Sequence, residues 1–208
     1  MKPDFILFPD ASLKRRGSET YAGYACVVLN PNTMEYVVIA EELSKNATIV
    51  FGEAWAAYRG LQFVRRVQRR DNRGELKVLV ISDSKMLVNT FSVWINVSWD
   101  TSDWNRWKKK DGSTVKNQGL YRKMLGVMNR GPLTVRFVHI NSHSDKKQGL
   151  RAYIKQKMRE ARVRLNDKQL DVFVQLNSVA DKAACDITKH MVEADSSFDH
   201  MNWIKHDK

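Results

Sequence analysis

Cysteines, long apolar runs and acidic residues are all scarce in this sequence. Only Cys26 and Cys185 are present, and both lie in apolar stretches. We therefore expect two buried, reduced thiols and no disulfide, as in a reducing compartment. No segment has the apolar length of a membrane-spanning helix, and the apolar run at residues 5–8 is too short for a secretory signal. The sequence thus predicts an intracellular protein that is neither secreted nor embedded in a membrane.

The deficit of acidic residues leaves a basic chain, with 35 Lys and Arg against 23 Asp and Glu and a net charge of +12. Such a field attracts polyanions, and nucleic acid is the leading candidate partner. Charge alone also fits an anionic membrane surface or a generic basic protein. The 208 residues and the apolar fraction of 43% predict one globular domain with decorations.

The spacing of apolar residues predicts a mixed sheet. Strands are expected at residues 4–12, 21–30, 34–42, 76–82 and 133–140. Helical periods occur at residues 52–70, 85–97, 118–128 and 178–190. Strands first, followed by alternating strand and helix, indicate an α/β fold. Its five-stranded sheet should be antiparallel in the first three strands and parallel afterwards, with helices flanking it.

Two decorations interrupt this pattern. Residues 99–117 form a polar, lysine-rich stretch that contains tryptophans, which we interpret as a basic protrusion. Residues 146–176 are basic with helical period and have no strand partner, so we expect a helical insertion before the last helix, shaped as a hairpin with one basic and one apolar face. The catalytic domain would span residues 1–190, followed by a polar C-terminal tail at 191–208.

Four carboxylates occupy positions that a solvated acid seldom takes. Asp10 and Asp83 each follow an apolar strand, Glu53 opens the first long helix, and Asp181 lies near the start of the last helix. In open α/β sheets, ligands bind beyond the carboxyl ends of the strands. Any one of these residues alone is more often a helix cap or a turn residue. A cluster of four is unfavourable unless cations neutralise it, which indicates hard divalent metal ions such as Mg²⁺.

The motifs around these carboxylates resemble, in order, those of type 1 members of the ribonuclease H family. The matching segments are Asp10-Ala11-Ser12, residues 21–28, Glu53 with Ala54 to Ala57, Asp83-Ser84, residues 135–143, and Asn177 to Asp181. The resemblance covers roughly residues 4–143 and 177–190. It implies a ribonuclease H-like fold and an endonuclease that hydrolyses the RNA strand of RNA/DNA hybrids.

The resemblance also implies the site and its cofactors. Two Mg²⁺ ions, for which Mn²⁺ could substitute, would be held by Asp10, Glu53, Asp83 and Asp181. The two ions would lie roughly 3.5 to 4 Å from each other, as in two-metal phosphodiesterases. The products would carry 5′-phosphate and 3′-hydroxyl ends. His143, in a loop with serines on both sides, would assist proton transfer or product release. His139 competes for this role, but it lies within the predicted strand.

Further residues are expected to contact the substrate. By position in the matched motifs or in the basic protrusion, these are Ser12, Ser84, Trp104, Trp107, Lys108, Lys109, Lys110, Lys116 and Asn177. Lysines neutralise phosphates and tryptophans stack on sugars or bases. In the alternative interpretation the protrusion is a solvated loop whose tryptophans pack inward.

Two departures from the family pattern concern substrate recognition. Residues 48–52 replace the polar stretch that usually precedes the helix glutamate, so how RNA is distinguished from DNA is open, and Asn46 is one candidate. Lys85 follows Asp83-Ser84 where a neutral residue is commoner, and we expect its side chain to point away from the site.

Two other functions remain: a catalytically idle nucleic-acid-binding module of the same fold, and a nuclease or resolvase acting on DNA. A monomer in the cytoplasm, nucleoid or nucleus is expected.

Overall fold

A single mixed sheet with the strand order β3-β2-β1-β4-β5 organises the molecule. The computed structural model describes residues 1–141 and 150–203. The strands are Phe5–Arg16 (β1), Glu19–Leu29 (β2), Tyr36–Glu42 (β3), Leu76–Ser82 (β4) and Leu133–His139 (β5). β1, β2 and β3 pair antiparallel, whereas β4 joins β1 and β5 joins β4 in parallel. The predicted mixed sheet is confirmed.

Helices cover both faces of this sheet. They are Ile49–Arg70 (α1), Lys85–Asn89 (α2), Gln118–Asn129 (α3), Leu150–Glu160 (α4) and Asp167–Trp203 (α5). Alternate strand residues point to opposite faces, so Leu7 packs with the α1 and α3 side chains while Ile6 and Phe8 pack with those of α4 and α5. Two-sided cover explains why the central strands are continuously apolar. No helix in the described ranges is long and apolar enough to cross a membrane.

Helix α1 begins three residues earlier than its apolar period predicts. Thr48 caps it, because the Thr48 hydroxyl accepts a hydrogen bond from the Phe51 backbone N–H at 3.2 Å, which satisfies one of the free donors of the first turn. The helix approaches the sheet closely at Gly60, where an added Cβ would lie 2.6 Å from both Cys26 Sγ and Leu7 Cδ2. The glycine therefore sets the distance between α1 and the sheet.

The single helix predicted at 85–97 is divided in the structure. Helix α2 ends at Asn89, and Thr90–Ser98 continues as a π-helix. The Thr90 hydroxyl donates to the Met86 carbonyl at 2.7 Å, and the Trp99 N–H reaches the Trp94 carbonyl, five residues back, at 2.7 Å. The hydrogen bond of the Thr90 side chain to the preceding turn thus coincides with the change from α-helical to the wider π-helical winding.

The structure differs from the separate helical hairpin expected at residues 146–176, because α5 includes the second half of that segment. The insertion is helical, but its second half is the beginning of α5, which runs without a break from Asp167 to Trp203. Phe173, Leu176 and Ala180 form one buried stripe against the sheet, and this shared apolar face favours a continuous helix through Asn177. The helix also continues past residue 190 into the segment expected to be a polar tail.

Candidate active site

The four carboxylates come from three layers of the fold. Asp10 lies within β1, opposite Ala25 of β2, because β1 continues to Arg16 instead of ending before the acid. β4 pairs with β1 only along Phe5–Leu7, so Asp10 and Asp83 project beyond the same end of the parallel pair. Glu53 belongs to the first turns of α1, and Asp181 lies well inside α5 rather than near its start.

The structure brings these four side chains into electrostatic contact. The pKa of Asp10 is raised from 3.8 to about 7, first by burial and then by the charges of Asp83, Asp181 and Glu53, while a hydrogen bond from the Ala11 N–H opposes the shift. That N–H donates to Asp10 Oδ1 at 2.7 Å. The three other acids each destabilise ionised Asp10, so the charges of all of them reach this carboxylate.

Glu53 shares this environment. Its pKa is raised by burial, lowered by a hydrogen bond from Ser84 and raised again by the charge of Asp83. Gly52 brings Glu53 close to β1, since a Cβ at Gly52 would lie only 2.7 Å from the Ala11 Cβ. Ser84 thus stabilises an ionised carboxylate that the absence of a side chain at Gly52 brings next to Asp10.

This donor set suits hard divalent cations. Among residues 1–141 and 150–203, no three His, Cys, Asp or Glu side chains are already arranged around a common metal position. The chemistry nevertheless fits: four carboxylates supply the oxygen ligands that Mg²⁺ prefers, and a cation would relieve the repulsion that raises the Asp10 pKa. The fit rests on charge rather than on finished coordination geometry.

An open cleft of about 490 Å³ adjoins the carboxylates. It is lined by Ile49, Val50, Glu53, Asp83, Ser84, Lys85, Met86, His139 and Asn141. Contrary to expectation, Lys85 contributes to this wall. Asn46, the candidate for substrate discrimination, is not among the lining residues and lies in a turn with a φ of 66°. The apolar Ile49 and Val50 occupy the wall where the family pattern has polar residues.

His139 was considered the weaker candidate, but it lies directly at the site. Its Nε2 is 3.0 Å from the backbone carbonyl oxygen of Asp83, because His139 pairs with Ser82 in the parallel register. When Nε2 carries the proton it donates to this carbonyl and fixes the segment that presents Asp83. His143, the predicted catalytic histidine, lies outside the described residues, and its role stays a prediction.

The α5 side of the site contains a residue that sequence reasoning missed. Cys185 was expected to be a buried thiol, yet it is only partly buried, and its Sγ lies 3.4 Å from Ser12 Oγ and 3.7 Å from Asp181 Oδ1. Its position four residues after Asp181 was the available signal, since such residues share a helix face. Asn177, one turn before Asp181, lies on that face too. No disulfide joins Cys185 to the buried Cys26.

The basic protrusion divides into a buried and an exposed part. Trp107 is fully buried, so the expectation that it stacks on substrate is wrong for this residue. Trp104 is 54% exposed, and the Arg122 guanidinium lies 5.6 Å from its ring centre. Lys108, Lys109, Lys110 and Lys116 are all exposed. The lysines and one tryptophan remain available to a ligand.

Comparison with known proteins identifies the class to which this fold and site belong. The family model for RNase H matches residues 2–153. The chain therefore belongs to the ribonuclease H family. A ribonuclease H from Caldanaerobacter subterraneus subsp. tengcongensis is 29% identical over 130 residues, which make up 62% of this chain and 74% of that protein.

Solved structures agree on the fold. The N-terminal RNase H domain of Rv2228c from Mycobacterium tuberculosis superposes with a TM-score of 0.55 at 16% identity, covering 91% of this chain and 96% of that one. The foamy viral protease-reverse transcriptase, solved in complex with an RNA/DNA hybrid, gives a TM-score of 0.60 at 11% identity over 90% of this chain and 20% of that chain. At these identities the likeness concerns the fold.

Proposed function

We propose that this protein is an endoribonuclease that hydrolyses the RNA strand of RNA/DNA hybrids. The observation that carries the proposal is the environment of Asp10, whose pKa is raised to about 7, first by burial and then by the charges of Asp83, Asp181 and Glu53. The net charge of +12 suits a polyanionic substrate. The hybrid bound to the foamy viral structural neighbour supports this choice of substrate.

In this proposal the four carboxylates hold two Mg²⁺ ions, for which Mn²⁺ would substitute. Bound there, the ions would lower the pKa of the attacking water and stabilise the departing 3′ oxygen, leaving 5′-phosphate and 3′-hydroxyl ends. The chain's own residues prepare this chemistry. The hydrogen bond from Ser84 opposes the rise in the Glu53 pKa, and His139 with its proton on Nε2 would fix the Asp83 backbone. His143 would transfer a proton or assist product release.

Substrate would approach across the cleft and the protrusion. The exposed Lys108, Lys109, Lys110 and Lys116 would neutralise phosphates of the DNA strand, and Trp104 would offer a stacking surface. Ser12, Ser84 and Asn177 would contact the strand being cut. Ile49 and Val50 cannot read a 2′-hydroxyl with their side chains, so discrimination of RNA would rest on other groups.

A panel of labelled 20-mers tests the proposal. RNA/DNA, RNA/RNA, DNA/DNA and single strands are incubated with Mg²⁺, Mn²⁺ or chelator, and the ends of the products are mapped. We expect cleavage of the hybrid RNA strand alone, and only with a divalent cation. Binding of all substrates without cleavage would support the idle module instead, and cutting of duplex DNA would support the DNA nuclease.

A further inference from the structure

A second cationic site lies far from the carboxylates. A cavity of about 160 Å³ between α1 and the end of α3 is lined by Gln62, Arg65, Arg66, Arg69, Val127 and Arg130. We call it the arginine pocket. Four of its six lining residues are arginines, which remain protonated at any physiological pH. Such a concentration of positive charge is unfavourable unless an anion or solvent compensates it.

Arg65 shows that this compensation is incomplete within the protein. Its Nε is buried without a hydrogen-bond partner, while another of its nitrogens donates to Gln68. Gly131, at a φ of 144°, permits the close approach of the Arg65 guanidinium, since a Cβ there would overlap it. Buried polar groups in native proteins are normally satisfied, and the Arg65 guanidinium has hydrogen-bonding capacity beyond its bond to Gln68.

The pocket also lacks internal counter-charges. Within the described part of the chain, the nearby acid Asp71 pairs with Arg70 and Arg73, and no ion pair to Arg65, Arg66, Arg69 or Arg130 is found. Part of the clustering has a structural cause, because Arg69 lies in the last turn of α1, where a positive charge interacts favourably with the negative end of the helix dipole. That role accounts for one arginine and not for four.

The arginine pocket is distinct from the active site. Arg65 and Arg69 follow Glu53 by 12 and 16 residues in the same helix, which corresponds to about 18 to 24 Å at 1.5 Å per residue. The basic protrusion precedes α3, whereas Arg130 follows its last residue. The two cationic regions therefore lie toward opposite ends of the α1–α3 pair.

We propose that the arginine pocket binds a phosphate group. Planar guanidinium groups match the oxygens of phosphate with paired hydrogen bonds, and the volume of about 160 Å³ admits a phosphate but not a whole nucleotide lying inside it. The phosphate comes either from a nucleic-acid backbone that extends beyond the active site or from a free phosphate or pyrophosphate. Both sources present the same chemistry to the arginines.

The free-phosphate arm measures thermal unfolding in chelator with pyrophosphate, against chloride at equal ionic strength. Without divalent cations the carboxylate cluster repels pyrophosphate, so the active site does not contribute to its binding. We expect the melting temperature of the parent protein to rise by roughly 3 °C at saturating ligand. Arg66→Gln with Arg130→Gln, both exposed positions, should abolish the rise. Lys2→Gln with Lys77→Gln removes the same charge at exposed sites outside the pocket and should preserve it.

The nucleic-acid arm measures the salt dependence of hybrid binding with the Asp10→Asn protein, and it rests on the proposed function whereas the first arm does not. A duplex rises 3.4 Å per base pair, so a 24-base-pair hybrid can reach from the active site to the pocket and an 8-base-pair hybrid centred on the site cannot. Loss of one phosphate contact should reduce the slope of log affinity against log salt by about 0.9. We expect this reduced slope only when the variant with Arg66→Gln and Arg130→Gln, the pocket variant, binds the 24-base-pair hybrid.

The outcomes separate the sources. A pyrophosphate effect without a change in hybrid slope assigns the pocket to free phosphate, and a change in slope for the long hybrid assigns it to nucleic acid. If the folded pocket variant and the Lys2→Gln/Lys77→Gln control behave alike in both arms, the proposal is overturned. Arg65→Lys, which keeps the charge but removes the planar fork, should weaken pyrophosphate binding at least several-fold.

Discussion

Asp10 lies where its own ionisation is unfavourable. Burial and three neighbouring acids raise its pKa to about 7, yet the proposed reaction needs it as an anion beside a metal ion. A bound cation reconciles the two demands, because it favours the carboxylate form. The same residue therefore has a cost in stability and a role in chemistry, and each can be measured separately.

For the chemistry, we expect Asp10→Asn to abolish hybrid cleavage while hybrid binding and folding persist. The amide keeps the shape of the side chain but loses the charge that fixes a metal ion. Cleavage is measured by gel and binding by fluorescence anisotropy. Asp186→Asn, at an exposed position of α5, is the matched control and should cleave normally. Full activity in folded Asp10→Asn protein would refute the assignment.

For stability, Asp10 produces a defined pH dependence in chelator. Its pKa of about 7 in the folded state exceeds the value of 3.8 in the unfolded chain, so the stability present below pH 4 is lost as the pH rises through 7. At pH 8 the free energy of unfolding of Asp10→Asn should exceed that of the parent protein by at most about 4 kcal/mol. The difference should vanish near pH 4 in urea titrations. A difference independent of pH would contradict the raised pKa.

His143 is predicted to assist turnover without holding the metal. We expect His143→Ala to reduce the cleavage rate on the order of 10², the scale of a lost proton-transfer group, and to leave metal binding intact. Single-turnover and multiple-turnover rates between pH 6 and 9 distinguish proton transfer from product release. Rates equal to those of the parent throughout would make it an ordinary loop histidine.

Packing of α1 on the sheet determines where Glu53 lies relative to Asp10. Gly52 and Gly60 both approach the sheet more closely than any side chain permits. The spacing of apolar residues in the sequence does not predict either contact, since a glycine in a helix interior normally indicates only a lower helix propensity. The sequence predicts which face of α1 is apolar, but it does not predict how closely that face approaches β1 and β2.

We expect Gly60→Ala to destabilise the protein by about 1 to 3 kcal/mol, because overpacking forces α1 away from Cys26 and Leu7. Gly126→Ala, in the interior of α3 with no atom within 4 Å of the added Cβ, should instead stabilise by about 0.5 to 1 kcal/mol. Both are measured by urea unfolding. Equal effects at the two positions would contradict the packing explanation.

The elements as a whole follow the sequence closely, with β4 matching its apolar run at 76–82. The differences have physical causes. Continuity of α5 accompanies one buried stripe that tertiary packing defines, and the π-helix begins at Thr90, whose hydroxyl donates to the Met86 carbonyl. The prediction of Asp10, Glu53, Asp83 and Asp181 as site residues rests on motif order, whereas the positions of His139 and Cys185 depend on the register of β5 and the face of α5.

At the scale of the whole molecule, residues 150–176 belong to the body as well as to its surface. Several of their basic side chains are already engaged, since Arg151 pairs with Asp167 and Asp171 at 3.4 and 3.3 Å. The buried Leu170 and Phe173 complete the second face of the sheet, and Phe173 packs edge-on against Phe8 with ring centres 4.9 Å apart. A segment with a basic face beside the last helix could extend the substrate groove, and we propose this role for its exposed arginines.

We therefore expect replacement of residues 146–176 by a short Gly/Ser loop to prevent folding, measured by loss of the cooperative thermal transition. Arg159→Gln with Arg164→Gln, both exposed, tests the binding role without removing the core. A flatter salt slope for hybrid binding in this folded variant would support the groove extension. A folded, cooperative deletion protein would contradict the structural role of the segment.

The covering of β1 and β2 by α5 has a consequence for how the chain is made. Ile6, Phe8, Val27 and Leu29 form one apolar surface that α4 and α5 complete, and Gly23 N–H bonds to the Thr188 hydroxyl across 165 positions. At about 5 to 20 residues per second, a ribosome adds the 141 residues between Leu29 and Leu170 in roughly 7 to 28 s. During that interval the nascent chain exposes the apolar residues of β1 and β2 before α5 can cover them, so we expect chaperones that bind apolar surfaces to contact it during translation.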